Sequence, residues 1–288
     1  MTQRPKTVLI AGATGYLGRH LLNAYADAGF HVLALARRPD ALADAAITPD
    51  RVIQAEVTEP DSLAGKLQGV DLVVSAVGIT RQRDGLSYDD VDYRANRNLL
   101  DAALAADVGR FAYVHVLNAE RMPNVAMVRA KERFAQELAA APIASTILMP
   151  SGFFSDLQEV LTMASQGRVY LFGDGAARIS PIHGADMAAA CVSATTAGLA
   201  AAPIGGPESF TQNEIAELAF DVLERPSRVH HVPLWLGKLA VAIGSLVGLR
   251  KPLGPLEFFL AVSSIDMTAP AHGRRRLGDA FRVKDLPA

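Results

Sequence analysis

One cysteine in 288 residues, Cys191, leaves no intrachain disulfide to form, which fits a reducing, cytoplasmic setting. Its neighbours are small and apolar, with no His or Lys to activate the thiol, so it reads as buried and inert. An excess of either charge is also missing. Lys and Arg number 28 against 30 Asp and Glu, a net charge of -2, so bulk electrostatics give no pull toward nucleic acid. The short run Arg274-Arg275-Arg276 reads as a solvated tail.

No apolar run reaches the ~20 residues a membrane span requires. The nearest is "LWLGKLAVAIGSLVGL", residues 234–249, interrupted only by Lys238 and Ser245. It lacks the charged face of an interfacial helix, so burial is the expected reading and peripheral membrane contact the alternative. The N-terminal "MTQRPKTVLIAG" enters a strand too early for a signal peptide. Adjacent His230 and His231 lie in an extended stretch, point to opposite faces and do not chelate together; no metal site is expected. There is neither a G-x-S-x-G elbow nor a paired-carboxylate motif to favour a hydrolase.

What is present is a rhythm. Runs rich in Val, Ile and Leu occur at Thr7 to Gly12, His31 to Ala36, Arg51 to Val57, Asp71 to Val77, Arg110 to Leu117 and Ala144 to Pro150. Without strict alternation they read as strands buried on both faces. Helical patterns separate them, as in "LSYDDVDYRANRNLLDAALAAD", where Val91, Leu99, Leu100 and Ala103 share a face. The fold class is therefore α/β: a Rossmann-type, doubly wound parallel sheet. After Pro150 the rhythm changes. "RVYLFGDGAARIS" reads as a hairpin about Gly-Asp-Gly, a helix is expected from about Ala185 to Thr196 with Asp186 as its cap, and Thr211 with Glu214 forms a capping box. We expect a nucleotide-binding domain over 1–150 and a smaller, mainly helical, substrate-side lobe over 151–288, with 181–206 packing back on the first.

The first strand runs into "GATGYLG". Gly12 permits the tight turn, Gly15 lets the backbone approach a pyrophosphate and Gly18 lets the helix pack close; Ala13, Thr14, Tyr16 and Leu17 complete the loop. At the end of the second strand, where an acidic residue would bind the ribose 2′-OH of NAD, stand Arg37 and Arg38. Paired guanidiniums suit a 2′-phosphate, which favours NADP (NADPH) over NAD. Glu56 and Val57 would border the adenine, and Ala76, Val77 and Gly78 would run beneath the second ribose. Pro150, Ser151, Gly152, Phe153 and Phe154 would wall the nicotinamide pocket, one phenylalanine serving the core.

The glycine pattern, "YRANRNLLDAA" and the lysine after strand five together resemble the short-chain dehydrogenase/reductase superfamily in its atypical, NmrA-like branch. Five later blocks, "RAKERFAQEL", "TILMPSGFFSDL", "YLFGDGAARISPI", "ADMAAACV" and "PIGGPESFTQNEIAELAFDVL", resemble the divinyl chlorophyllide reductases. That resemblance implies hydride transfer from NADPH to a conjugated vinyl group. The same branch holds reductases of other activated double bonds, proteins that only sense NADP, and a subunit of respiratory complex I. Against the superfamily's Tyr-x-x-x-Lys this chain has Met127-x-x-x-Lys131, its strand-five serine becomes Leu117-Asn118, and Met149 replaces an arginine.

The superfamily's tyrosine relay is thereby ruled out. Lys131 remains as the candidate catalytic residue, to hold the nicotinamide ribose and, if burial lowers its pKa, to act as an acid. Arg129 and Glu132 are expected on the solvated side. Reduction of C=C needs a hydride donor and a modest proton source that water can supply, so losing the tyrosine points away from carbonyl chemistry. The expected partner is a small hydrophobic substrate; a non-catalytic NADP sensor or an assembly factor for a membrane complex is the alternative.

Overall fold

The computed structural model describes residues 5–42, 49–80, 82, 85–246 and 250–283. Residues 1–4 of the N-terminal stretch and 247–249 of the long apolar stretch lie outside them.

The expected strands form where the Val, Ile and Leu runs stand: β1 (Thr7–Ala11), β2 (His31–Ala36), β3 (Arg51–Gln54), β4 (Leu72–Ser75), β5 (Arg110–Val114) and β6 (Ala144–Pro150). Short strands β7 (Val169–Phe172) and β8 (Arg178–Ile179) follow, and then β9 (Ala201–Ile204) returns to the main sheet. The order β3-β2-β1-β4-β5-β6-β9 is parallel throughout, with Leu9 opposite Leu33 on one side and Val73 on the other. Reversal of strand order at β1 and β4 makes the crevice at their carboxyl ends, where doubly wound folds bind ligands.

Period-two alternation divides the core into two layers. Leu9, Val73, Phe111 and Tyr113 face α3 (Asn96–Ala105) and α4 (Ala126–Ala140), which follow the single turn α2 (Pro60–Leu63). Val8, Ile10, Val74 and Ala112 face α1 (Tyr16–Asp27) and, from later in the chain, α6 (Gly184–Thr196). Helix α3 is preceded by a π-helical turn, Asp89–Ala95, in which Val91 is buried together with Asp92. Cys191 is fully buried in α6, and desolvation pushes its thiol up, out of reactive range.

Phe154, Val160, Leu161, Val169, Phe220 and Phe281 build a third cluster among α5 (Gln158–Ser165), β7, α7 (Gln212–Val222) and α10 (Leu277–Val283). Helix α7 starts with the expected capping box: the Glu214 N–H donates to Thr211 Oγ1, and the Thr211 N–H to Glu214 Oε2. The expected Gly-Asp-Gly hairpin does not form. Strand β7 pairs in parallel with β11 (Val229–Val232), and β8 pairs antiparallel with β10 (Phe210–Thr211). Local turn chemistry is present, but partners from far along the chain take both strands.

Two further expectations are corrected. His183, not Asp186, caps α6, its Nδ1 accepting from the Ala185 N–H at 3.1 Å. Asp186 is buried and instead accepts from the backbone N–H groups of Arg274 and Arg275 while pairing with the Arg275 guanidinium. The arginine run is solvated as expected but is not a free tail: it ties the last described segment to α6. The apolar helix α8 (Leu234–Leu246) packs on α9 (Arg250–Val262), yet turns its largest side chains outward: Trp235, Leu239, Ile243 and Leu246 are exposed. The expectation of a buried helix fails for that face.

Candidate active site

The loop after β1 has the shape its glycines require. Gly12 sits at φ +79°, and the Gly15 N–H closes a turn on Gly12 O at 3.0 Å. A Cβ at Gly18 would lie 2.0 Å from Gly12 O, and one at Gly12 would lie 2.8 Å from Ala76 O. Loop, helix and the end of β4 therefore approach as only glycine allows. At Gly15, the N-cap of α1, a Cβ would meet only Gly12 O at 3.3 Å, so that side of the turn stays open over the first helical N–H groups. The cradle fits a diphosphate.

Around it the sequence-selected residues gather in three groups. Arg37 and Arg38 follow β2 and are exposed, with Arg37 Nε 3.8 Å from Glu56 Oε2. Glu56 is held in turn by Ser62 and Thr58, and Val57 O accepts from Asn98 Nδ2 at 3.0 Å. On the opposite side of the loop, the Tyr16 ring meets the edge of half-buried Phe153, and its hydroxyl accepts from the Gly184 N–H at 2.9 Å. Ser151 is buried, its hydroxyl donating to Ser180 O, which fixes the turn Pro150–Phe153 at the end of β6. Phe154 is buried in the third cluster, so the two phenylalanines divide between cleft and core.

The third group is at the end of β4. Lys131, from the second turn of α4, reaches Asp92 Oδ1 at 3.0 Å. A Cβ at Gly78 would fall 2.7 Å from that carboxylate and 2.8 Å from Lys131 Nζ, so the ammonium lies directly against the Gly78 backbone. Two residues selected from separate parts of the sequence meet here. Ser75 and Asn96 fix the floor: Ser75 Oγ donates to Asn96 Oδ1 at 2.5 Å, and Asn96 Nδ2 donates to Val77 O and Asp92 O. The Lys131 side chain is 14% exposed and that of Asp92 is wholly buried, so the lysine stands between the carboxylate and the cleft.

Burial alone would discharge Lys131, but the Tyr113 hydroxyl and the Asp92 carboxylate outweigh it and hold the ammonium well above its ordinary value. The lowered pKa that an acid role requires is therefore not found. Tyr113 is buried on β5, its ring centroid 5.5 Å from Lys131 Nζ.

The Glu132 side chain is 39% exposed, on the solvated side as expected, but it is also paired inward. Its Oε2 lies 2.8 Å from Nε2 of buried His115, whose ring stacks on Tyr113. Arg129 is exposed as expected. Met127 is buried, and Asn118, at φ +54°, turns its amide to Asp266 O at 2.8 Å. The residues in place of the tyrosine and serine thus bring no hydroxyl to the cleft.

Asp92, Tyr113 and His115 escaped the sequence reading. A signal for Asp92 exists: Asp92, Asn96, Leu99 and Ala103 recur at helical spacing and all are buried, so a carboxylate stands within a core stripe. Among the described residues no group of three or more His, Cys, Asp or Glu side chains could hold a metal ion.

The family model for NAD(P)H-binding proteins matches residues 12–197, from the first loop glycine to the end of α6. The chain belongs to that family. It is 32% identical over 274 residues to the divinyl chlorophyllide a 8-vinyl-reductase of Zea mays, covering 87% of this chain and 67% of that one. The rice counterpart, also 32% identical, is covered over 63% of its length, so these relatives are longer proteins. The photosystem II assembly factor Ycf39 of Synechocystis is 26% identical over 235 residues, 79% of this chain and 71% of that one. The fold is that of the Escherichia coli NADPH-dependent quinone oxidoreductase QOR2 in its NADPH complex (TM-score 0.76, 21% identity, 96% and 99% of the two chains). The chain is an NAD(P)-binding protein of reductase type.

Proposed function

We propose that this protein is an NADPH-dependent reductase that delivers hydride to an activated C=C bond of a small, hydrophobic, conjugated substrate. One observation carries the reading: Lys131 is held charged by Asp92 against the Gly78 backbone, at the edge of the dinucleotide crevice. An ammonium has three donors. With Asp92 behind it, Lys131 keeps donors for the ribose hydroxyls of the nicotinamide half, which fixes the ring over the cleft.

NADPH supplies the hydride. The chain's own residues bind, orient and screen: the glycine cradle takes the diphosphate, and Arg37 and Arg38 take the 2′-phosphate. Phe153 covers the nicotinamide side, with Tyr16 holding it in place. With Met127 in place of tyrosine, the hydroxyl relay that carbonyl reduction uses in the superfamily is missing. A stabilised carbanion from an activated alkene can take its proton from water. An open surface depression of about 510 Å³ between Arg121, Asp174, Leu234, Ser263 and Asp266 adjoins the segment after β5, and its lining does not include Lys131, Gly78 or Phe153.

A second reading, an NADP-binding protein without catalysis, is supported by the same missing hydroxyls and by the likeness to an assembly factor. Single-turnover oxidation of bound NADPH with hydrophobic vinyl- and enone-bearing acceptors separates the two. Acceptor-dependent loss of NADPH absorbance supports the reductase. Tight NADPH binding with no oxidation by any acceptor leaves the binding protein.

A further inference from the structure

Helix α8 is amphipathic in reverse. Trp235, Leu236, Leu239, Ile243 and Leu246 are 62%, 41%, 47%, 51% and 87% exposed. At about 100° per residue they fall within one arc of about 100°. The opposite, inner side carries Gly237, Val241 and Gly244. A Cβ at Gly237 would come within 2.5 Å of Leu260 on α9 and 3.0 Å of Phe172 on β7. The helix is pressed to the body of the protein through glycine, and its large apolar groups cannot turn inward without prising α8 from α9. A contiguous exposed apolar face of this kind marks a docking surface.

The charge of the flanking sequence argues for one occupant. From Arg225 to Leu256 the sequence contains Arg225, Arg228, Lys238, Arg250 and Lys251 and not one carboxylate, in a chain whose net charge is -2. Tryptophan and aliphatic side chains on one face, with cations alone in the flanking sequence, match the headgroup region of an anionic bilayer. An isolated interfacial helix needs a charged face toward water. Here that side is packed on α9, which removes the objection drawn from its low charge. Among the described residues no helix is long and apolar enough to cross a membrane, so α8 would lie in the plane of the surface.

We propose that α8 docks this protein on an anionic lipid bilayer through Trp235, Leu239, Ile243 and Leu246, with Lys238 and the flanking cations drawing it to the headgroups. Helix α9 carries the contact toward the cleft: Glu257 Oε2 accepts the Ala126 N–H at the start of α4 at 3.1 Å, and Gly254 lies against Tyr88. Docking stands apart from the reductase reading and is tested without turnover.

Trp235 is the only tryptophan, so intrinsic emission reports on α8 alone. The full chain is titrated with phosphatidylcholine vesicles, with and without phosphatidylglycerol, and co-sedimentation is measured in parallel. The expected result is a blue shift and co-sedimentation on the anionic vesicles, weakened at least ~10-fold by neutral lipid or high salt. Leu239→Glu and Ile243→Glu should each abolish both signals while leaving the circular dichroism spectrum and NADPH affinity unchanged. Trp235→Phe should keep the co-sedimentation. Failure to bind either vesicle overturns the proposal, as does equal binding to both. A lipid-free dimer that buries Trp235 and is dispersed by Leu239→Glu would also overturn it, assigning the face to a second copy of the chain.

Discussion

Lys131 and Asp92 form an ion pair at 3.0 Å in which the carboxylate is wholly buried and the lysine nearly so. Removing one partner leaves the other charge uncompensated in a low-dielectric site, at a cost of about 3–5 kcal/mol. Asp92→Asn should therefore lower stability by that order in urea unfolding. The double variant Asp92→Asn/Lys131→Met should recover most of the loss. Additive losses in the two single variants would show that the pair is not coupled.

Lys131→Met tests the lysine's role toward the dinucleotide. Losing one charged hydrogen-bonding group should weaken NADPH by about 1.5–3 kcal/mol in calorimetric titration, and binding should stay measurable. Hydride transfer to an active acceptor should fall a further ~10²–10⁴-fold, as for a misplaced reactant. Met127→Tyr should not raise turnover, because Asn118 brings no partner hydroxyl to the cleft. A Lys131→Met protein with full affinity and full rate would remove the residue from the site.

On the proposed reading, Arg37 and Arg38 after β2 set cofactor choice. NADPH should bind at least ~10-fold more tightly than NADH at fixed salt, the worth of one good charge-assisted contact. Arg37→Ala/Arg38→Ala should erase the difference and leave NADH affinity nearly unchanged. Equal affinities in the unaltered protein would dismiss the 2′-phosphate argument.

The loop glycines should separate binding from folding. At Gly15 a Cβ would meet only Gly12 O at 3.3 Å, so Gly15→Val should fold and lose dinucleotide affinity. At Gly18 a Cβ would lie 2.0 Å from Gly12 O, so Gly18→Val should destabilise the protein by about 1–3 kcal/mol or more through overpacking. Thermal melts and calorimetry on both variants decide it; unchanged affinity in a folded Gly15→Val protein would reduce the loop to a turn.

His115 makes stability depend on pH. Desolvation, reinforced by the Lys131 charge, outweighs the Glu132 hydrogen bond and lowers its pKa. Below about pH 6.5 the unfolded chain takes up a proton that the folded one refuses, so stability should fall as pH drops from there toward the lowered folded value. His115→Gln cannot titrate and should flatten this part of the profile. Melting temperatures from pH 7.5 downward, variant against unaltered protein, provide the test.

The parallel sheet and its glycine loop were legible because both are written locally, in buried Val, Ile and Leu runs and in a turn only glycine can make. Lys131 was legible only by its register after the fifth strand; its ion pair was not, since Asp92 lies far away in sequence within a π-helical turn. Strand β9 went unread: "AAPI" contains Pro203, which an outer strand tolerates because its missing N–H faces no partner. The hairpin was misread because β10 and β11, not the intervening turn, choose the partners of β8 and β7. In α8 composition suggested burial, while the position of two glycines reversed which face was inside.

Strand β9 has a consequence for how the chain is made. During synthesis, β6 leaves the ribosome as an open sheet edge, and α1 emerges without the α6 surface that later covers its neighbour strands. The covering helix α6 follows only after the entire β7–β8 excursion, and the edge partner β9 only after α6. A nascent chain stalled in that interval carries an unpaired parallel edge and bare aliphatic surface, the combination that recruits chaperones or drives aggregation. Slow translation should therefore be most harmful to this protein between Pro150 and Ile204.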